Sequence, residues 1–343
     1  MIRCVKDISP EADRELWALP PGAGYRFLGR PFEVRSNSNR LTRLVDDIYG
    51  AFRSPVPLPD PVVTYLLEDG GDRETPYSTI DPGFDSFLCS EPGRAISFWG
   101  AQLMCDHLFR LPFLFLHGAA LEKAGRVFVF AGESGGGKTT LIIALGKEGF
   151  SFFSDEFAPL SLDGGEVHPF PRSLLLGGEN LGRPGVPGEL PFFFDYQEQR
   201  PGDPEPPRRF ILAPEKVFPA IGRSPAPPAA FCLLDGFSDT ATAARPLPAG
   251  RALEMILKSA VNTGYLDPAA AVRAVEMLTG LLSRVPAILL RPGPPGEDPA
   301  ARARVIEGLA LGSPVGVGDL EKIGRRCLAI LEQEKNQSTN YTN

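Results

Sequence analysis

The chain has 343 residues, 35 of them basic and 42 acidic, for a net charge of −7. At roughly 150 residues per domain this length predicts two domains, and 43% hydrophobic with 22% charged residues is an ordinary folded composition. No basic run stands out, which argues against a nucleic-acid partner, and no apolar stretch reaches the roughly 18–20 residues of a membrane span.

The N-terminal residues Met1–Asp7 carry no apolar h-region, which predicts no secretory leader. Five cysteines (Cys4, Cys89, Cys105, Cys232, Cys327) are scattered, odd in number and form no C-x-x-C pair. That pattern supports neither a disulfide framework nor a zinc site and fits a reducing cytoplasm.

Residues 1–110 read as a smaller N-terminal α+β region. Tyr25–Arg35 is β-type, broken by Gly29 and Pro31. Asn39–Phe52 places Leu41, Leu44, Val45, Ile48 and Phe52 at helical spacing, with an Asn available as cap. Val62–Leu67 predicts a strand, Gly70-Gly71 a loop, and Ala95–Arg110 a helix. No cluster here carries recognisable chemistry, so a docking or regulatory role is the expectation.

Residues 111–335 read as the main domain. Phe113–Leu121 is a nearly continuous apolar run, as in a buried strand or strand pair. A turn at Lys123-Ala124-Gly125 leads to the apolar run Val127–Ala131. Then Gly132-Glu133-Ser134-Gly135-Gly136-Gly137-Lys138-Thr139 matches G-x-x-x-x-G-K-[ST] in full. Glycines let successive N–H groups turn inward toward phosphate oxygens. Lys138 has the reach for the outer phosphates, the Thr139 hydroxyl suits Mg2+, and the N-terminus of the helix opening at Thr140 adds partial positive charge. Strand, glycine-rich loop and helix together predict that residues 132–140 bind a nucleoside triphosphate.

The helix runs to about Lys147, and Gly149–Glu156 reads as a strand ending in two carboxylates. In α/β sheets ligands collect beyond the C-terminal strand ends, and this strand is expected beside the loop-bearing one. One of Asp155 and Glu156 then coordinates magnesium and the other accepts a proton. The plain alternative is a solvated strand end, since adjacent strand residues point to opposite faces. His117 sits within an apolar strand, where a lone histidine is as often a hydrogen-bonded core residue as a group beside Asp155 or the γ-phosphate. His107 and His168 read as structural or surface residues.

Asp163-Gly164-Gly165 between Phe157–Leu162 and Glu166–Phe170 is a hairpin signal. Gly177–Pro207 reads as a long loop carrying Phe192-Phe193-Phe194, a lid or substrate-docking segment. Arg172 and the paired Arg208 and Arg209 are candidates for phosphate or substrate contact. Arg208–Leu212, Ala229–Leu234 and Pro286–Arg291 read as strands. Pro248–Val261, Pro268–Ser283, Pro299–Leu311 and Val317–Glu334 read as helices, and 336–343 as a frayed tail. The fold class expected is α/β, a mixed sheet with a phosphate loop.

Leu116-His117-Gly118, the loop 132–139 and Ser154-Asp155-Glu156 together resemble the catalytic domain of the HPr kinase/phosphorylase family, over about residues 112–312 and most closely over 115–160. The late V-P-A-I-L-L-R-P-G segment is similar to the closing strand of HPr-kinase-related proteins, among them SynChlorMet cassette proteins and lasso-peptide precursor kinases. The resemblance implies a phosphoenolpyruvate-carboxykinase-like nucleotide domain. Lys138 and the loop amides would hold ATP, Thr139 and Glu156 would hold Mg2+, Asp155 would be the base for a serine hydroxyl, and His117 would stand beside it. Glu156 stands where the family has a second aspartate, and Thr139 where it has serine. The implied function is an ATP- and Mg2+-dependent kinase acting on a serine of a protein or peptide, in a chain compatible with oligomer formation. A small-molecule kinase acting on free serine or a similar metabolite, and a non-catalytic ATP-binding maturation or assembly partner, stand as alternatives.

Overall fold

A computed structural model describes residues 2–5, 16, 18–68, 73–133, 135–183, 186–195, 208–294, 296–310 and, singly, 320, 323, 325 and 327. The architecture is mixed α/β, and contacts divide the chain into two units. One comprises residues 1–108, 172–183 and 187–213; the other comprises 109–171, 184–186 and 214–343. Residues 172–183 and 187–213 therefore cluster with the N-terminal part, although the sequence reading assigned them to the main domain.

The first unit holds a six-stranded sheet in the order β1 (Ile2–Val5), β6 (Ser86–Cys89), β5 (Tyr77–Ile80), β4 (Val62–Glu68), β3 (Arg30–Ser36), β2 (Ala23–Phe27). Every neighbour pair is antiparallel except β3 and β4, whose parallel register needs a crossover, supplied by helix α1 (Asn39–Tyr49). The cap of α1 is Ser38, not an Asn: the Ser38 side chain accepts from the Leu41 N–H at 3.3 Å. Helix α2 (Pro92–Gln102) runs into a π-helical stretch, Leu103–Leu108, so the expected single helix over 95–110 is wound in two ways. Phe27, Tyr49, Phe52 and Trp99 cluster edge to face or tilted, and Trp99 Nε1 donates to Thr64 Oγ1 at 2.9 Å. His107 is structural, as expected: its Nε2 lies 2.6 Å from Asp81 Oδ2 in a buried pair.

A three-stranded sheet, β11 (Leu174–Gly177), β13 (Arg208–Leu212), β12 (Phe192–Asp195), completes this unit. Phe192-Phe193-Phe194 is thus ladder rather than open loop, paired antiparallel to β13. Consecutive phenylalanines suit a pleated ladder, and the Gly/Pro-rich flanks concealed that. Of the proposed lid over 177–207, residues 184, 185 and 196–207 lie outside the described residues.

The second unit is built on a seven-stranded mixed sheet, six strands of which run in the order β10 (Phe157–Ser161), β7 (Phe113–Lys123), β8 (Arg126–Ala131), β14 (Pro228–Leu234), β16 (Ala287–Arg291), β15 (Ala243–Leu247), the seventh pairing with β7 off this path. Strands β8, β14 and β16 are parallel, while β7 and β15 run antiparallel at the flanks. Strand β15 carries Pro246, which an edge position tolerates because no strand on its outer side needs the missing N–H. The apolar run beginning at Phe113 is one strand, eleven residues long. That length lets two successive strands share its outer edge. Strand β9 (Ser151–Ser154) pairs with residues 120–122, and β10 pairs with 113–117. The strand after the glycine-rich loop therefore lies beside β7 and not beside β8, one strand further out than expected. It still runs parallel to β8, because two antiparallel steps restore direction, so both end at the same sheet edge.

Helices α4 (Ala249–Ser259) and α5 (Pro268–Leu282) cover one face of this sheet, packing Leu253, Ile256, Leu278 and Leu282 against Leu114, Leu116, Val127 and Val129. Each such fully buried side chain stabilises the unit by about 1.5–3 kcal/mol. Asn262 is fully buried here and satisfied: its side chain accepts from Phe115 N–H and donates to the carbonyls of Phe109 and Phe113. Helix α6 (Pro299–Ala310) is present as expected, whereas the expected helix over 317–334 lies mostly outside the described residues. The hairpin after β10 reduces to the turn, closed by Ser161 N–H to Glu166 O at 2.9 Å and a single Leu160–Val167 bridge. Among the described residues, Cys89, Cys105, Cys232 and Cys327 are free thiols, and no helix is long and apolar enough to cross a membrane.

Gly118 shows why the middle of β7 needs a residue without a side chain. It pairs with Ala131 at the end of β8, and a methyl group there would lie 2.5 Å from the Phe130 carbonyl oxygen. Replacing Gly118 with Ala is expected to lower stability by about 1–3 kcal/mol, read as a lower urea midpoint at unchanged slope.

Candidate functional site

The site lies where β8 and β9 end. Leaving β8, the backbone must turn sharply, and Gly135 and Gly137 take φ of +79° and +81°, values that glycine reaches without a Cβ penalty. Gly132 sits against β14: a methyl group on it would lie 2.9 Å from Leu234 Cβ. The turn closes through Gly136 N–H to Glu133 O at 3.2 Å. Helix α3 (Lys138–Gly146) then starts from Gly137, whose carbonyl accepts from Leu141 N–H at 2.9 Å. Buried Leu141, Ile142 and Leu145 anchor the helix, so its N-terminus is held in a fixed direction behind the loop. Ser134 lies outside the described residues, and Glu133 is exposed.

Lys138 is only 7% exposed. Its ammonium is held by two carbonyls of its own loop, Gly132 O at 2.7 Å and Glu133 O at 2.8 Å. Burial pulls its pKa below the ordinary lysine value, and the nearby Asp155 carboxylate pulls it back up. The next residue, Thr139, donates its hydroxyl to Asp155 Oδ2 at 3.0 Å. Asp155 is itself buried, at 7% exposure, and Thr140 is half-buried on the following position.

Asp155 and Glu156 occupy the joint between β9 and β10. Glu156 takes φ +75°, a left-handed conformation unusual for a residue with a side chain. Its carbonyl accepts from Gly118 N–H at 3.1 Å, and Phe157 pairs with His117. The corner and the Leu116-His117-Gly118 segment therefore lie side by side. His117 is half-buried, and the two-residue strand period turns it away from the face covered by α4 and α5.

The structure thus gathers Gly132, Gly137, Lys138, Thr139, Asp155 and the backbones of Glu156 and His117 at one sheet edge. The three candidate arginines belong to the first unit. Arg172 is buried there, while Arg208 is exposed and Arg209 half-buried on β13. Phe237, for which the sequence offered no motif, has its ring against the loop: a methyl group on Gly137 would lie 2.7 Å from its Cε1.

Chemically, a buried ammonium, a helix N-terminus and a hydroxyl–carboxylate pair make a site for a polyanion accompanied by a hard cation. The Thr139 hydroxyl oxygen fits Mg2+, which takes one or two protein ligands and completes its octahedron with phosphate and water. Among the described residues no group of three His, Cys, Asp or Glu could hold a metal by itself.

The left-handed backbone at Glu156 predicts an inversion of the usual preference. Glu156→Gly should be more stable than Glu156→Ala by about 1 kcal/mol, measured by urea unfolding, because only glycine relieves the φ. Equal stabilities would mean that the corner does not hold the strain its geometry implies.

No protein-family model matches the chain and no curated protein is similar to it, so the functional reading rests on the geometry of this edge.

Proposed function

We propose that the second unit is a phosphate-loop nucleotide domain of the phosphoenolpyruvate-carboxykinase-like kind, and that the protein is an ATP- and Mg2+-dependent kinase acting on the serine hydroxyl of a protein or peptide. The observation that carries this reading is the 3.0 Å bond from Thr139 Oγ1 to Asp155 Oδ2, with the Lys138 ammonium beside it. A loop that only turned the chain would have no need of a buried lysine next to a threonine that bonds a buried aspartate.

The residues divide the work. The loop amides and the α3 N-terminus receive the phosphates. The Lys138 ammonium exchanges its two loop carbonyls for phosphate oxygens, which compensates a charge already stripped of water. Thr139, with the Glu156 carboxylate of the corner, would hold a magnesium ion, which would supply charge neutralisation to the phosphates. Asp155 takes the proton from the acceptor hydroxyl as that oxygen attacks the γ-phosphorus. The bond from the γ-phosphorus to the bridging oxygen breaks, and ADP leaves with the electron pair. Catalysis of this kind is positioning and charge compensation, with few covalent demands on the protein. His117, whose backbone adjoins the corner, is assigned to orienting it.

Transfer from γ-labelled ATP to a panel of serine peptides and free hydroxyl compounds, read by mass spectrometry, tests the reading. Phosphopeptide should form with the native chain. Asp155→Asn should slow transfer by about 10²–10⁴-fold while nucleotide still binds, and Lys138→Ala should lose both. Undiminished turnover in Asp155→Asn would remove it as the base. Absence of ATP binding by the native chain would overturn the nucleotide reading itself.

A further inference from the structure

The Phe237 ring lies against the glycine-rich loop at Gly137, and it is 59% exposed. An isolated exposed phenylalanine needs no explanation, but this one is presented on a loop fastened at both sides. Before it, Asp235 N–H donates to Leu290 O at 3.0 Å and the Asp235 carboxylate meets Arg291 at 3.0 Å. Gly236 makes the turn at φ +70°. After it, Ser238 N–H donates to Pro292 O at 2.8 Å. The far side of that anchor is itself knotted. Glu297 accepts from Thr242 N–H at 2.6 Å and from Arg302 Nε at 2.8 Å, and Gly293 N–H donates to Thr242 Oγ1 at 3.1 Å. The ring is therefore held in place at the C-terminal edge of β14 and β16, beside the end of β8 from which the loop springs.

Resting on the nucleotide reading above, we infer that Phe237 is the platform on which the nucleobase of the bound triphosphate stacks. Its Cε1 and Cζ edge abuts Gly137, 2.7 and 3.0 Å from where a Cβ would stand. The loop amides, Lys138 and Thr139 take the polyanionic end of the ligand. The flat apolar part of a nucleoside triphosphate is its base, and a phenylalanine offers that part a π-face and no hydrogen bond. Such a platform favours large rings over small ones and does not read the base edge, so adenine and guanine are held alike and pyrimidines less well.

Calorimetric titration of the full chain with Mg2+ and either ATP or inorganic tripolyphosphate separates the two ends of the ligand. Phe237→Ala should weaken ATP about tenfold and leave tripolyphosphate within about twofold. Phe237→Trp should keep native ATP affinity and change its fluorescence on ATP but not on tripolyphosphate. Native ATP affinity in Phe237→Ala would overturn the platform while leaving the phosphate loop intact. Equal weakening of both ligands would also overturn it, because the ring would then be acting on the loop's shape. A native chain that binds neither ligand sinks the phosphate-loop reading and this inference together.

Discussion

Everything at the candidate site depends on the length of one strand. At eleven residues β7 outruns its partners, so one edge carries β9 and then β10, and the two residues between those strands have no ladder place. Those residues are Asp155 and Glu156. The joint turns Asp155 toward the helix that follows the glycine-rich loop, where the Thr139 hydroxyl reaches it. Its cost is visible in the left-handed backbone of Glu156, a form of local strain that the surrounding sheet hydrogen bonds hold in place.

The other edge of β7 imposes a matching demand. Its pairing with β8 brings residue 118 within 2.5 Å of a carbonyl oxygen for any side chain, so a glycine stands there. Gly118 also donates its N–H to the Glu156 carbonyl. One residue thus couples the close approach of β8, which launches the loop, to the corner that carries the carboxylates. The Leu116-His117-Gly118 segment is read here as part of the site's frame, with the proposed phosphotransfer chemistry at Lys138, Thr139 and Asp155.

Electrostatics at this edge is poised for an anion. Lys138 is buried with a weakened hold on its proton, and among the described residues two loop carbonyls and the Asp155 carboxylate compensate it. Phosphate oxygens are stronger partners for an ammonium than carbonyls, so the proposed ligand completes a charge balance that the protein leaves open. The pinned loop at residues 235–238 adds a rigid apolar surface next to that charge, the combination that nucleotide recognition calls for.

The amino-acid sequence by itself determined the local parts: the strand–loop–helix at 127–146, the helix at 39–49 and the apolar strands β7, β14 and β16. These follow from short-range rules, such as the glycine and lysine spacing of the loop, helical periodicity and unbroken apolar runs. Tertiary structure decided what those parts meet. That β9 lies outside β7 depends on strand pairing across dozens of residues, which no local pattern encodes. The same holds for β12: its phenylalanines become a strand only because β13 supplies a ladder partner, and for β15, whose Pro246 reads as a breaker until its edge position is known. Phe237 was invisible for the same reason. Its chemistry comes entirely from the distance to Gly137, a hundred residues earlier in the chain, and the close approach of β14 to β8 sets that distance.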